Sequence, residues 1–367
     1  MSRIYKSDEG EREVRERYLA FLKRWPVDHQ QIRVPTSQGE TFVIASGPED
    51  APPLMLFHGG TTNSAVWMGD VPIFAGSFRV FCVDMIGEAG LSAPSRPSLA
   101  TDAHARWLDE ILQGLSVARV SIVGVSLGGW LALDYATRNP ERVERVAALC
   151  PGGVGRQKLG IVFLSIALRM CGAWGKRKLM ERILGRPRAD PPPALRAFAS
   201  FFALIHRHFR PRMVKLPVFS DDALRRLSMP VLAIVGARDV LLDSAQTKER
   251  LERHAPNAQV IYLSEAGHFI PGRAGRLLAF SERGGPLSQP CSLQQRSRIG
   301  IASDGGTEAG PVRIGARFPA NTRSQADGDG RRQRRGCSHR PQCSSPSLGR
   351  SRGGFSRRLS RMRLRIL

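Results

Sequence analysis

A serine hydroxyl is a poor nucleophile unless a base and a strained setting activate it, and one serine of this chain is framed for both. Gly124-Val125-Ser126-Leu127-Gly128 is a G-x-S-x-G motif. It ends an apolar run, Val120–Val125, and opens a helical pattern, Leu127–Thr137. A strand that turns this sharply into a helix lifts the serine hydroxyl above the sheet. Side chains at positions 124 and 128 would strike neighbouring backbone, which explains both glycines. The helix that follows aims its first amides at the same point, where negative charge would develop during acyl transfer. A Gly-rich turn that merely packs is the plain alternative, since five such residues recur by chance. The strand–turn–helix context argues against it.

Such a serine needs a histidine, and the histidine needs an acid. The run Val231–Val235 ends in Gly236-Ala237-Arg238-Asp239, which puts Asp239 at a strand's C-terminal end. Asp243, four residues on, is the rival acid, but it is better placed to cap a helix over Ser244–His254. His268 follows the last strand-like run, Val260–Leu263, in the loop Ser264–Pro271. Of the other histidines, His206 and His208 lie in a helical segment, His254 near a helix end, and His29, His104 and His339 in no strand-end context. A histidine taken alone is more often a packing or surface residue, so position is what selects His268. The oxyanion donors are assigned to the amides of Gly60, in Phe57-His58-Gly59-Gly60, and of Leu127. The bland reading of His58-Gly59-Gly60 is a tight turn, with His58 holding the loop by hydrogen bonds.

The elements that must position these groups follow from the hydrophobic pattern. Strand-like runs occur at Gln31–Val34, Thr41–Ala45, Leu54–Phe57, Arg79–Val83, Val120–Val125, Val143–Leu149, Val231–Val235 and Val260–Leu263. Helical patterns over Ser64–Phe74, Thr101–Leu115, Leu127–Thr137 and Ser244–His254 separate many of them. This alternation predicts α/β architecture, a mostly parallel sheet covered on both faces. A polar helix is expected over Tyr5–Trp25. The interval from about Gly152 to Met229 holds no strand pattern. It has two apolar, Arg- and Lys-studded helical stretches, Leu159–Leu184 and Ala194–Phe209, separated by a proline-rich turn. It is read as a helical cap; ordinary packing helices are the alternative. Phe163, Met170, Trp174, Phe201, Phe202 and Phe209 are candidates for pocket walls by position alone, with core packing the safer role for most. The same apolar helices would also suit a homodimer contact.

The chain of 367 residues carries a net charge of +23. Residues 283–367 hold 18 Arg, no Lys and 4 acidic residues, so +14 of that charge belongs to a Gly-, Ser- and Arg-rich tail. The tail shows no apolar period and is expected to be disordered; its composition also matches an out-of-frame translation. Two aromatic residues in it, Phe318 and Phe355, are too few for a stacking platform, so nucleic-acid binding is not expected. The 6 cysteines show no metal-ligand spacing or disulfide framework, and no cofactor or metal is called for. The charged stretch Met1–Arg17 does not resemble a signal peptide, and the longest apolar stretch, Gly160–Trp174, is broken by Arg169 and too short to span a membrane. A cytoplasmic protein is expected. The proposed division is residues 1–28 as an N-terminal helical segment, 29–151 and 230–282 as the core, 152–229 as the cap and 283–367 as the tail.

These motifs together resemble the α/β-hydrolase superfamily, in its esterase-like members with a helical cap. The match comprises H-G-G at His58–Gly60, D-x-x-G-x-x-G-x-S at Asp84–Ser92, G-V-S-L-G-G at the elbow, G-x-x-D at Gly236–Asp239 and G-H-F-I-P at Gly267–Pro271. It covers roughly residues 30 to 282. The Asp84 segment is one residue longer than the common form. The resemblance implies an α/β-hydrolase fold, a structural role for Asp84, and hydrolysis of a small ester or related acyl substrate through an acyl-Ser126 intermediate. Serine at 126 sets the chain apart from relatives with an elbow aspartate, the haloalkane dehalogenases and epoxide hydrolases. Acyltransferases, peptidases, C–C bond hydrolases and perhydrolases share the site and stay open as alternatives. So does a different class of function, binding of an anionic surface by the basic tail.

Overall fold

The structure is a computed structural model that describes residues 4–158, 160–185, 190, 192–212 and 214–282. The Arg-rich tail and its expected disorder lie outside the described residues, as does the side chain of Phe163.

The elements run α1 (Asp8–Leu22), β1 (His29–Val34), β2 (Thr41–Ser46), β3 (Pro53–Phe57), α2 (Val71–Phe74), β4 (Arg79–Val83), α3 (Ala103–Gly114), β5 (Val120–Val125), α4 (Leu127–Arg138) and β6 (Val143–Leu149). Then come α5 (Gly160–Met170), α6 (Gly172–Leu184), α7 (Pro193–His208), α8 (Asp221–Arg225), β7 (Val231–Gly236), α9 (Ser244–His254), β8 (Ala258–Leu263) and α10 (Ala274–Glu282). The eight strands form one sheet in the order β1-β2-β4-β3-β5-β6-β7-β8. The β1–β2 and β2–β4 pairs are antiparallel and the remaining pairs parallel. This is the mostly parallel α/β sheet expected from the sequence.

Parallel strands buried on both faces read as continuous apolar runs, because alternate side chains serve two cores. Val43 and Ala45 of β2 face a core with Trp107 and Ile111 of α3, and Leu131 and Tyr135 of α4. Phe42 and Ile44 of the same strand face the other, with Tyr18 of α1 and Leu277 of α10. The parallel crossovers bring the C-terminal ends of β3, β5, β6, β7 and β8 to one edge of the sheet, where ligand sites of such sheets form.

Three helical expectations need correction. Leu159–Leu184 is not one helix: α5 ends where Gly172 takes a left-handed conformation at φ 57°, and α6 starts afresh. Ser64–Phe74 divides into a 3-10 turn, Ser64–Trp67, and the single turn α2, whose Pro72 cannot donate within a longer helix. Finally, α1 starts at Asp8, where Ser7 caps it by accepting from the Gly10 amide.

The N-terminal segment ties α7 to the sheet. Tyr18 stacks on Phe201 at 6.1 Å, and Phe21 does so at 5.0 Å. Tyr5 meets Phe209 edge-on at 5.4 Å. Phe201 and Phe209 are therefore core residues, while Met170 and Trp174 are 87% and 54% exposed. Phe202 is half-buried and packs on Phe198 and His206. None of the described candidates stands as a demonstrated pocket wall.

Candidate active site

Ser126 sits directly after β5 with φ 55° and ψ −108°, a backbone that a non-glycine residue adopts at a cost of about 1–3 kcal/mol. The surroundings hold it there. Its N–H donates to Leu149 O at 2.9 Å and its carbonyl accepts from Trp130 N at 2.9 Å and Gly152 N at 3.2 Å. A Cβ at position 124 would lie 2.2 Å from Gly128 O, and one at 128 would lie 2.5 Å from the carbonyl oxygens of Phe57 and His58. Both glycines are thus required by backbone contacts, as the motif implies, and the second presses the start of α4 against the end of β3.

That contact sets Gly59 and Gly60 beside the serine. A Cβ at position 59 would lie 3.9 Å from Ser126 Cβ, and one at 60 would meet only the Leu127 side chain, at 3.7 Å. Glycine at 60 is therefore not forced sterically. Leu127 is the first residue of α4, so its amide has no partner within the helix. His58 is buried beneath the loop. Its Nε2 accepts from Met85 N at 2.9 Å, so Nδ1 carries the proton and donates to Gly59 O at 2.8 Å. Burial lowers its pKa, in keeping with this neutral form.

Asp239 follows β7 with its side chain fully buried. One carboxylate oxygen accepts from Leu241 N at 2.8 Å and Leu242 N at 3.1 Å. The other pairs with His268 Nδ1 at 2.8 Å. Burial alone would raise the carboxyl pKa; the hydrogen bond and charge of His268, with the two amides, outweigh it and hold the pKa below the usual range. The carboxylate thus takes the proton-bearing side of the ring, Nδ1, and leaves Nε2 as the nitrogen that faces away from it. Asp243 does something else: its side chain accepts from Gln246 N at 3.0 Å and caps α9. Among the described residues, no hydrogen bond joins the Ser126 hydroxyl to the His268 ring; such contacts commonly tighten only with substrate bound.

Two residues absent from the sequence reading belong to this neighbourhood. Glu88 is buried and accepts from Thr61 N at 2.6 Å, next to Gly60 in the loop. Thr61 itself holds φ 59°, so this bond fixes an uncommon backbone. Burial raises the Glu88 pKa to about 7, against the Thr61 amide and the charges of Arg96 and Arg212, which lower it. The signal available was its place inside the glycine-rich segment after β4, Asp84–Ser92. Cys150, directly after β6, has no motif to announce it. Its sulfur, an Asp239 oxygen and a His268 nitrogen lie within 4.8 Å of one another. Metal ligation would need a thiolate. Burial, reinforced by the Asp239 charge, raises this thiol to about 12, and Asp239 and His268 already bond to each other. The cluster reads as hydrogen-bonded packing.

Asp84 is a hub of the core. One oxygen accepts from Tyr18 OH at 2.9 Å, Ser64 N at 2.9 Å and Ser64 Oγ at 2.7 Å, and the other from Leu91 N at 2.8 Å. It braces the segment that carries Glu88 and lies apart from the His268–Asp239 pair in its bonding.

Residues 52–272 match the family model described as the alpha/beta hydrolase fold. Carboxylesterase YbfK of Bacillus subtilis is 30% identical over 256 residues, 69% of this chain and 86% of that protein. The crystal structure of that carboxylesterase, also called CesB, superposes with a TM-score of 0.64 at 29% identity, covering 74% of this chain and 98% of the other. The naproxen esterase of Bacillus subtilis superposes with a TM-score of 0.64 at 28% identity, covering 75% and 99%.

Proposed function

The chain belongs to the alpha/beta hydrolase fold family, and we propose that it works there as a serine carboxylesterase, cleaving a small ester through an acyl-enzyme on Ser126. The similarity to carboxylesterases over most of both chains supports the reaction class. The observation that carries the residue assignment is the 2.8 Å bond between His268 Nδ1 and Asp239, which follow β8 and β7 at the sheet edge where the strained Ser126 turn follows β5.

In this reading His268 Nε2 takes the proton of the Ser126 hydroxyl as the oxygen attacks the acyl carbonyl. The amides of Gly60 and Leu127 receive the developing oxyanion. The intermediate collapses as His268 returns the proton to the departing alcohol. A water molecule, deprotonated by the same nitrogen, then attacks the acyl carbon and releases the acid, restoring Ser126. Asp239 keeps the ring in its productive tautomer and stabilises the imidazolium. No cofactor enters these steps.

The division of the chain belongs to the same proposal: a core of residues 29–151 and 230–282, and a cap of residues 152–229, which contribute α5 to α8 between β6 and β7. Among the described residues no helix is long and apolar enough to cross a membrane. The free, buried thiols of Cys82 and Cys150 favour the cytoplasmic setting we propose.

Purified full-length protein should hydrolyse p-nitrophenyl acetate, and Ser126→Ala should lower kcat by more than about a thousandfold with the fold intact. Folded wild-type protein without turnover on a panel of short and medium acyl esters would overturn the proposal.

A further inference from the structure

The charge of residues 1–282 is segregated. Residues 152–229, between β6 and β7, contain 16 Lys and Arg against 4 Asp and Glu, a net of +12. The rest of residues 1–282 carries a net of −3. All four carboxylates of the insertion already face cations: Glu181 meets Arg177 and Lys178, Asp190 meets Arg196, Asp221 meets Arg250 and Asp222 meets Arg225. The excess is positive and is concentrated on one insertion of the fold.

Within it, α5 and α6 form a hairpin joined at Cys171. Ile161 and Leu164 near the start of α5 line a groove with Arg182 near the end of α6 and with Ala237–Val240 of the core. The opposite end of the hairpin, Met170 to Trp174, is therefore the outer one, about 15 Å away along α5. At that end Met170 and Trp174 are 87% and 54% exposed, and Cys171 and Gly172 are exposed between them. The sequence flanks this apolar tip with Arg169, Lys176, Arg177 and Lys178. Large apolar side chains exposed at the tip of a segment whose net charge is +12 match the headgroup region of an anionic bilayer. There phosphates meet the cations, and tryptophan sits at the polar–apolar boundary. A nucleic acid would satisfy the charges but give Met170 no apolar environment.

We propose that the tip of the α5–α6 hairpin docks the protein peripherally on an anionic phospholipid bilayer, with Met170 and Trp174 entering the headgroup layer and the net positive charge of residues 152–229 attracted to lipid phosphates. The docking is independent of the chemistry assigned to Ser126.

The test is co-sedimentation of the full chain with vesicles of equal parts phosphatidylglycerol and phosphatidylcholine, and with pure phosphatidylcholine vesicles. Binding is expected to the first and to fall at high salt. Met170→Ser with Trp174→Ser should weaken it at least about tenfold, from the lost apolar insertion, while turnover of a soluble ester without vesicles stays unchanged. Brominated phosphatidylcholine in the anionic vesicles should quench wild-type fluorescence, and Trp174→Phe should lose most of that quenching while still binding. Binding that ignores the double substitution would assign it to the basic tail and overturn the proposal. So would absence of quenching in the wild type, an equal loss of duplex DNA binding in the double variant, or a Trp174 covered by self-association in size-exclusion runs. If the double variant fails to fold, the wild-type quenching measurement decides alone.

Discussion

Replacing Asp239 by asparagine separates the acid assigned here from its rival four residues away. In the structure one carboxylate oxygen accepts two amides, from Leu241 and Leu242, and the other faces His268 Nδ1. An asparagine keeps the two amide bonds only by turning its NH2 toward the ring. Nδ1 must then become the acceptor, and the proton moves to Nε2, where the nitrogen can no longer take one from serine. Turning the amide the other way sets NH2 against two backbone donors and is worse. Loss of the charge-assisted bond costs about 2–3 kcal/mol, and the missing counter-charge for the imidazolium about 2–4 kcal/mol more. Asp239→Asn should therefore lower kcat for p-nitrophenyl acetate by about 10³- to 10⁵-fold with KM little changed. Asp243→Ala removes only the cap on Gln246 N; it should cost about 1 kcal/mol of stability and leave kcat near wild type. Steady-state kinetics and urea unfolding on the same preparations measure both. A kcat for Asp239→Asn within tenfold of wild type, or an equal loss in Asp243→Ala, would refute the reasoning.

Other outcomes follow from the same contacts. Gly128→Ala drives a Cβ to 2.5 Å from two carbonyl oxygens and should destabilise by about 3 kcal/mol or more, or give insoluble protein. Gly60→Ala meets only the Leu127 side chain at 3.7 Å and should keep the unfolding free energy within about 1 kcal/mol of wild type; equal tolerance of both alanines would contradict the close-packed elbow. Glu88, with its pKa raised by burial from 4.5 to about 7, is protonated more readily folded than unfolded. Its contribution to stability is then fully present below the unfolded pKa and lost as pH rises through the folded one. Wild type should lose about 3 kcal/mol relative to Glu88→Gln as pH rises from about 4.5 to beyond 7. Parallel stability–pH curves for the two proteins would place Glu88 in a more solvated setting than its burial indicates.

The strands were legible because their physics is local. Arg79–Val83, Val120–Val125 and Val143–Leu149 begin and end where the apolar runs do, since strands buried on both faces need apolar residues throughout. The elbow was legible because its glycines answer a steric demand of a few ångströms, and Asp243 because capping reaches only three residues ahead. What escaped depends on distant partners. Glu88 is informative only once Thr61 and its unusual backbone are opposite it. Between pocket wall and core, position alone could not assign Phe201 and Phe209; α1 against the first and Tyr5 against the second make them core. The break between α5 and α6 hinges on Gly172, a residue that a helical pattern tolerates and a left-handed turn prefers. The charge of residues 152–229 could be counted in the sequence, which bounds that segment and marks its helices as Arg- and Lys-studded, but the larger charge of residues 283–367 overshadowed it.

The proposed reaction passes through a covalent acyl group on Ser126. Rapid acid quench of the full-length enzyme during p-nitrophenyl acetate turnover, followed by peptide mass spectrometry, tests it most directly. The expected result is an acetyl group on the peptide that carries Gly124-Val125-Ser126-Leu127-Gly128, absent in Ser126→Ala and formed far more slowly in His268→Ala, where acylation and deacylation both lack their base. An acetyl group confined to another residue during productive turnover, or undiminished turnover by Ser126→Ala, would contradict it.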